Sequence, residues 1–179
     1  MNIPNKLTVL RVFLVPIFVA FMLIPFSGDW SKWAALLVFV VASLTDLADG
    51  KIARKYGLVT NFGKFMDPLA DKLLVCSALI CFVATNQIPA VIVIVIVSRE
   101  LIISGVRLIA ADNGVVLAAN IWGKFKTACQ MVMTVVLIAD LDGLEIVEQI
   151  LIYASLILTV ISLGCYLYQN RAVLKEGTN

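Results

Sequence analysis

The chain has 179 residues, 61% of them hydrophobic, with a mean hydropathy of +1.01 and a net charge of +2. Soluble domains are normally no more than about half apolar, so the composition excludes a soluble globular protein and leaves one membrane domain over residues 1–179. There is no histidine, and Cys76, Cys81, Cys129 and Cys165 show no Cys-x-x-Cys spacing, which argues against zinc and leaves acid–base work to carboxylates, lysine or tyrosine.

A spanning helix needs ~20 mostly apolar residues. Six stretches qualify, at 7–26, 33–53, 63–85, 88–110, 121–140 and 145–169. The expected fold is therefore an all-α integral membrane protein with six transmembrane helices. The start of the chain, residues 1–6, lacks a basic leader and a small-residue cleavage site, so the first apolar stretch is expected to be retained. Pro16 is expected to kink that helix. The second, third and fifth stretches carry polar residues at one end and are expected to protrude from the hydrocarbon. The run 91–97 is unbroken and β-branched. In water it would suggest a buried strand, but its length and setting favour a lipid-facing helix. The cysteines sit in apolar helix sequence and read as small buried hydrophobes. Breaks fall at 27–30, 55–61, 85–89, 112–120 and 140–145.

Six spans put both termini on one side. That side collects Lys6, Arg11, Lys51, Arg54, Lys55, Lys64, Lys72, Arg99, Arg107, Lys124, Lys126, Arg171 and Lys175, while the opposite side keeps only Lys32. The acidic residues Asp140, Asp142, Glu145 and Glu148 lie on the Lys32 side. Basic residues favour the cytoplasmic face, so both termini are expected to be cytoplasmic.

Four aspartates interrupt this apolar chain: Asp46, Asp49, Asp67 and Asp71. A carboxylate in or near hydrocarbon is costly, so a cluster of them marks a functional site. Asp46, Asp49, Gly50, Ala53 and Arg54 follow helical spacing and form one stripe. Gly63, Asp67 and Asp71 form a second, and only a short turn around Gly57 separates the two, so the stripes can face each other. Facing acidic stripes make a hard-oxygen site suited to Mg²⁺, Mn²⁺ or Ca²⁺. Gly50, Ala53 and Gly63 leave room for a ligand to approach the backbone, and Arg54 offers donors for a phosphate. Together they describe a metal-bridged phosphate pocket, in which two ions could clamp an in-line displacement. A close-packing surface would explain the glycines but not the aspartates. Ion pairs of Asp49 with Lys51 or Arg54, and of Asp71 with Lys72, would absorb only part of the charge.

A second basic cluster lies outside this motif. Arg99 and Arg107 fall at the cytoplasmic end of the fourth stretch, Lys124 and Lys126 at the start of the fifth. Headgroup anchoring is one reading. The other is a phosphate-bearing second substrate, favoured because Arg99 and Glu100 lie within apolar sequence, where an unpaired charge is costly.

The pattern Asp46-x-x-Asp49-Gly50-x-x-Ala53-Arg54, eight residues, then Gly63-x-x-x-Asp67-x-x-x-Asp71 resembles the complete motif of the CDP-alcohol phosphatidyltransferases. The resemblance implies membrane enzymes that move a phosphatidyl group from CDP-diacylglycerol to an alcohol and release CMP. It implies Mg²⁺ or Mn²⁺, two ions, on Asp46, Asp49, Asp67 and Asp71, with Asp71 as the base. It places the cytidine nucleotide against the glycine- and alanine-lined face. Asn2-Ile-Pro-Asn-Lys-Leu-Thr-Val-Leu-Arg11, Ser98-Arg-Glu-Leu-Ile-Ile-Ser-Gly-Val-Arg107 and Gly123-Lys-Phe-Lys-Thr127 resemble the branch whose acceptor is sn-glycerol 3-phosphate. That branch would use Arg99, Arg107, Lys124 and Lys126 for the acceptor. Asn5, Thr8 and Arg11 are available for nucleotide or headgroup contacts, with a helix cap and a snorkelling arginine as the structural alternative. The expected partners are CDP-diacylglycerol, sn-glycerol 3-phosphate and membrane lipids, without nucleic acid; a homodimer is left open. The alternatives are another acceptor (inositol phosphate, serine or phosphatidylglycerol) and, from another class, a cation transporter. The transporter lacks support from internal repeats, and the arginines would repel a cation.

Overall fold

The computed structural model describes residues 3–24, 30–56, 61–112 and 120–171; within them the side chains of 3–6, 46–56, 61–68, 71, 109, 111 and 112 lie outside the description. Six helices account for the described chain, with no strand among the described residues. They are α1 (Ile3–Leu23), α2 (Trp30–Tyr56), α3 (Asn61–Ala84), α4 (Ala90–Asp112), α5 (Ile121–Ala139) and α6 (Glu145–Gln169). The sixth has the bounds read from sequence. The others shift at their ends, most at α1 and α2: the start of α1 and both ends of α2 run past the apolar stretch, since a helix continues for as long as its backbone pairs, whereas α1 stops at Leu23 and α4 starts at Ala90, inside it. The helical assignment of α1 runs through Pro16.

By length and composition α5 and α6 can cross a membrane. α4 is long enough at 23 residues but carries Arg99, Glu100 and Arg107 along its length. α1, α2 and α3 contain shorter apolar stretches, at Leu7–Leu23, Trp30–Thr45 and Lys72–Ala84.

The chain forms two compact units. The first comprises Met1–Gln87 with Leu137–Asp140, the second Ile88–Val136 with Leu141–Asn179. In the first unit α1 packs on α2 and α3, and α2 meets α3. Its buried side chains include both large and small ones: Phe18 and Phe39, with ring centroids 5.8 Å apart, and Ala35, Ala42, Ala70 and Ala78. Small residues let helix backbones approach closely, the main source of helix association where lipid removes the hydrophobic drive. Two side chains tie the ends of this unit together: Lys32 Nζ donates to the Asp140 carbonyl at 3.4 Å and Gln87 Nε2 to the Leu137 carbonyl at 3.2 Å.

α3 stops at a Schellman turn. Asn86 takes φ +61°, its N–H donates to the Val83 carbonyl at 3.1 Å, and the Gln87 N–H donates to the Phe82 carbonyl at 2.9 Å. These bonds use carbonyls that the helix end would otherwise orphan.

In the second unit α4 packs on α6. The run 91–97 is helical, as expected, but it is not all lipid-facing. Ile92, Val93 and Ile96 are buried while Val91 and Ile94 are exposed, because a 3.6-residue period divides any continuous run between two faces. Of the cysteines, only Cys81 is fully buried, and the other three are partly covered.

The described core is mostly apolar, but it also holds charged and polar side chains while large apolar ones face outward. Phe13, Leu37, Val91 and Ile146 are exposed, Ile146 at 75%. Thr8, Arg11, Arg99, Lys126, Gln130, Thr134, Ser155, Thr159 and Ser162 are buried.

Candidate active site

The eight motif positions fall on two successive helices of the first unit. α2 carries Asp46, Asp49, Gly50, Ala53 and Arg54, and α3 carries Gly63, Asp67 and Asp71. Continuous helix through both stretches is what the spacing requires: each set recurs on one face only at 3.6 residues per turn. The side chains of these residues, and that of Asn5, lie outside the described residues. On α1 of the same unit, Thr8 and Arg11 are one turn apart and fully buried. Burial sets Arg11 apart from the snorkelling arginine that sequence allowed.

The basic cluster belongs to the second unit, and its members have different fates. Arg99 on α4 is 8% exposed and Lys126 on α5 is 2% exposed. Both donate to one atom, Glu100 Oε1: Arg99 Nη1 at 2.7 Å and Lys126 Nζ at 2.6 Å. Short bonds between ionised partners are the strong kind, and pairing is what makes buried charge tolerable. A second nitrogen of the guanidinium is also fixed, since Arg99 Nε donates to Ser162 Oγ on α6 at 3.1 Å. Ser162 Oγ in turn donates to the Thr159 carbonyl at 3.0 Å, so its hydrogen is used along the helix and its lone pair faces the arginine.

Arg107 lies two turns further along α4. Its Nε donates to Tyr166 Oη at 3.3 Å, and its guanidinium carbon stands 5.6 Å from the centre of that ring, a cation–π distance. Tyr166 is buried in a small core with Ile103 and Val106. Lys124 is exposed. The structure therefore brings Arg99 and Lys126 together, holds Arg107 on Tyr166, and leaves Lys124 outside the buried group.

α5 begins just ahead of Gly123. Asn120 caps it, accepting the Trp122 N–H on Oδ1 at 2.7 Å. A Cβ added at Gly123 would come to 3.3 Å from Arg99 Nη2.

Sequence reading named Glu100 beside Arg99 without linking it to Lys126, and did not pick out Ser162 or Tyr166. The signal was present: Ser155, Thr159, Ser162 and Tyr166 recur at helical spacing in an otherwise apolar helix, and a polar stripe in such a helix needs a partner.

The family model described as CDP-alcohol phosphatidyltransferase matches residues 1–161, across both units. A Bacillus subtilis protein named CDP-diacylglycerol–glycerol-3-phosphate 3-phosphatidyltransferase is 43% identical, with 98% of each chain covered. Proteins of the same name from Haemophilus influenzae and Rickettsia typhi are 40% and 36% identical, covering 98% and 90% of this chain and 97% and 92% of their own. A match of this extent over the complete aspartate motif settles the family: the chain belongs to the CDP-alcohol phosphatidyltransferases.

Proposed function

We propose that this protein transfers the phosphatidyl group of CDP-diacylglycerol to sn-glycerol 3-phosphate, giving phosphatidylglycerol phosphate and CMP. The observation that carries this reading is the near-full-length similarity to relatives named for that reaction. The whole chain acts as one catalytic domain in the cell membrane, crossing it six times, with both termini and the aspartates at the cytoplasmic face. Large apolar side chains exposed outward, with several polar side chains buried in an apolar core, support the membrane setting.

The donor set fits Mg²⁺ or Mn²⁺. Two successive helices carry four carboxylates, all hard oxygen donors, in a chain without histidine. Asp46, Asp49, Asp67 and Asp71 would hold the metal, as two ions. Bound there, it would neutralise charge on the diphosphate. Gly50, Ala53 and Gly63 give the nucleotide access to the helix backbones, and Arg54 orients its phosphates. Asn5 and Thr8 add polar contacts to CDP-diacylglycerol from α1. Asp71 takes the proton of the acceptor hydroxyl. The acceptor oxygen then forms a bond to the lipid-side phosphorus as the bond to CMP breaks, and CMP leaves with the electron pair. Arg99, Arg107, Lys124 and Lys126 bind the acceptor phosphate. Positioning and charge stabilisation supply most of the rate in such transfers.

An acceptor panel with purified protein, Mg²⁺ and CDP-diacylglycerol tests the reading. CMP release should require sn-glycerol 3-phosphate. Release with inositol phosphate, serine or phosphatidylglycerol instead would change the acceptor. No CMP with any acceptor would remove the transferase reading.

A further inference from the structure

We propose that Gly123 is a specificity-determining residue for the acceptor: its missing side chain keeps Arg99 Nη2 open as the seat of the acceptor's phosphate monoester. This inference rests on the reaction proposed above and names which donor edge of the basic cluster meets the phosphate.

The guanidinium of Arg99 is planar, and two of its three nitrogens are used. Nε is spent on Ser162 and Nη1 on Glu100, while Nη2 has no hydrogen bond among the described residues. The arginine is more than nine-tenths buried, and Nη2 is its nitrogen nearest Gly123. It points to the first turn of α5, where the capped helix start offers further amide hydrogens and a positive dipole end. Glycine is the residue at that approach. A Cβ there would come to 3.3 Å from Nη2, so the guanidinium would have to give by a few tenths of an ångström. A free arginine would swing its far end aside, but this one cannot move Nη2 without disturbing the Ser162 or Glu100 bond, because the group is rigid. Lys126 completes the seat electrostatically. Arg99, Lys126 and Glu100 together carry one net positive charge, enough to draw a phosphate without leaving two unmatched cations in a buried place.

Gly123→Ala, Arg99→Lys and the double variant of the full-length protein test this by two-substrate kinetics. Gly123→Ala should raise the KM for sn-glycerol 3-phosphate about tenfold or more, the worth of one hydrogen bond to a charged group. The CDP-diacylglycerol KM and kcat should change less than about twofold. Alanine is favoured over glycine in a helix, so a melt in detergent should show the variant folded. Arg99→Lys lacks the fork and should raise the same KM. Adding Gly123→Ala to it should change little, because the glycine acts through Nη2. Additive effects would make position 123 a packing site and overturn the inference. A rise in the CDP-diacylglycerol KM alone would assign the seat to the lipid substrate's diphosphate and likewise overturn it. Were Gly123→Ala not to fold, an unchanged acceptor KM in Arg99→Lys would do the same.

A second arm needs no turnover. Inorganic phosphate should raise the melting temperature of the wild type, and should raise it less in Gly123→Ala. Phosphate protection without glycerol-phosphate-dependent CMP release would keep the seat and sink the reaction. Glycerol-phosphate-dependent turnover, with neither acceptor KM nor phosphate protection altered by Gly123→Ala, would keep the reaction and sink the seat.

Discussion

Asp46, Asp49, Asp67 and Asp71 each keep their shape when changed to asparagine and lose only charge. Each single change should lower turnover about a hundredfold or more while the protein still inserts. Two or more purified variants with near-full activity would remove the metal assignment. Arg107→Ala should raise the KM for sn-glycerol 3-phosphate severalfold and leave that for CDP-diacylglycerol unchanged. If only the dependence on anionic lipid moves, Arg107 is a headgroup anchor. The aspartates were legible in the sequence because a carboxylate stands out in apolar surroundings and its helical spacing can be counted. The partners of Arg99 and Arg107 were less so. Glu100 is the next residue, but Ser162 lies 63 positions away and Tyr166 lies 59 from Arg107. Such pairings follow from which helices pack together, and nothing local encodes that. Burial likewise separated Lys126 from Lys124, two residues apart on different faces of α5.

At the scale of elements, the helices were readable from apolar runs, and the turns at 85–89 and 140–145 from their polar residues and glycine. The start of α1 and both ends of α2 were not, because helix outlasts the apolar run there. The Schellman turn closing α3 offers a test of one such end. Asn86 sits in the left-handed region, which asparagine tolerates and β-branched residues do not. Asn86→Val should cost about 1–2 kcal/mol, and Asn86→Gly should be neutral or slightly stabilising. Melting of both variants in detergent checks this; equal stability would show that the turn relaxes out of its left-handed form.

For the whole molecule, the uneven spread of basic residues predicts an orientation. In a cysteine-free background, a cysteine at position 32 should react with an impermeant thiol reagent on intact cells. One replacing Arg171 should react only after permeabilisation. The reverse pattern would invert the membrane topology and move the aspartates to the other face. The shared oxygen of Glu100 bears on how such a protein is made. A charged residue near a helix centre costs about 2.5–3.5 kcal/mol to insert, and α4 carries Arg99, Glu100 and Arg107 before its final residue Asp112. While the chain is still being synthesised, Arg99 and Glu100 have only each other. Lys126 emerges 26 residues after Glu100, and Ser162 63 residues after Arg99. In the proposed membrane setting, α4 is thus a poor passenger alone. Its residence in the bilayer becomes secure only when α5 and α6 arrive, making the last three helices a single step of biogenesis rather than three.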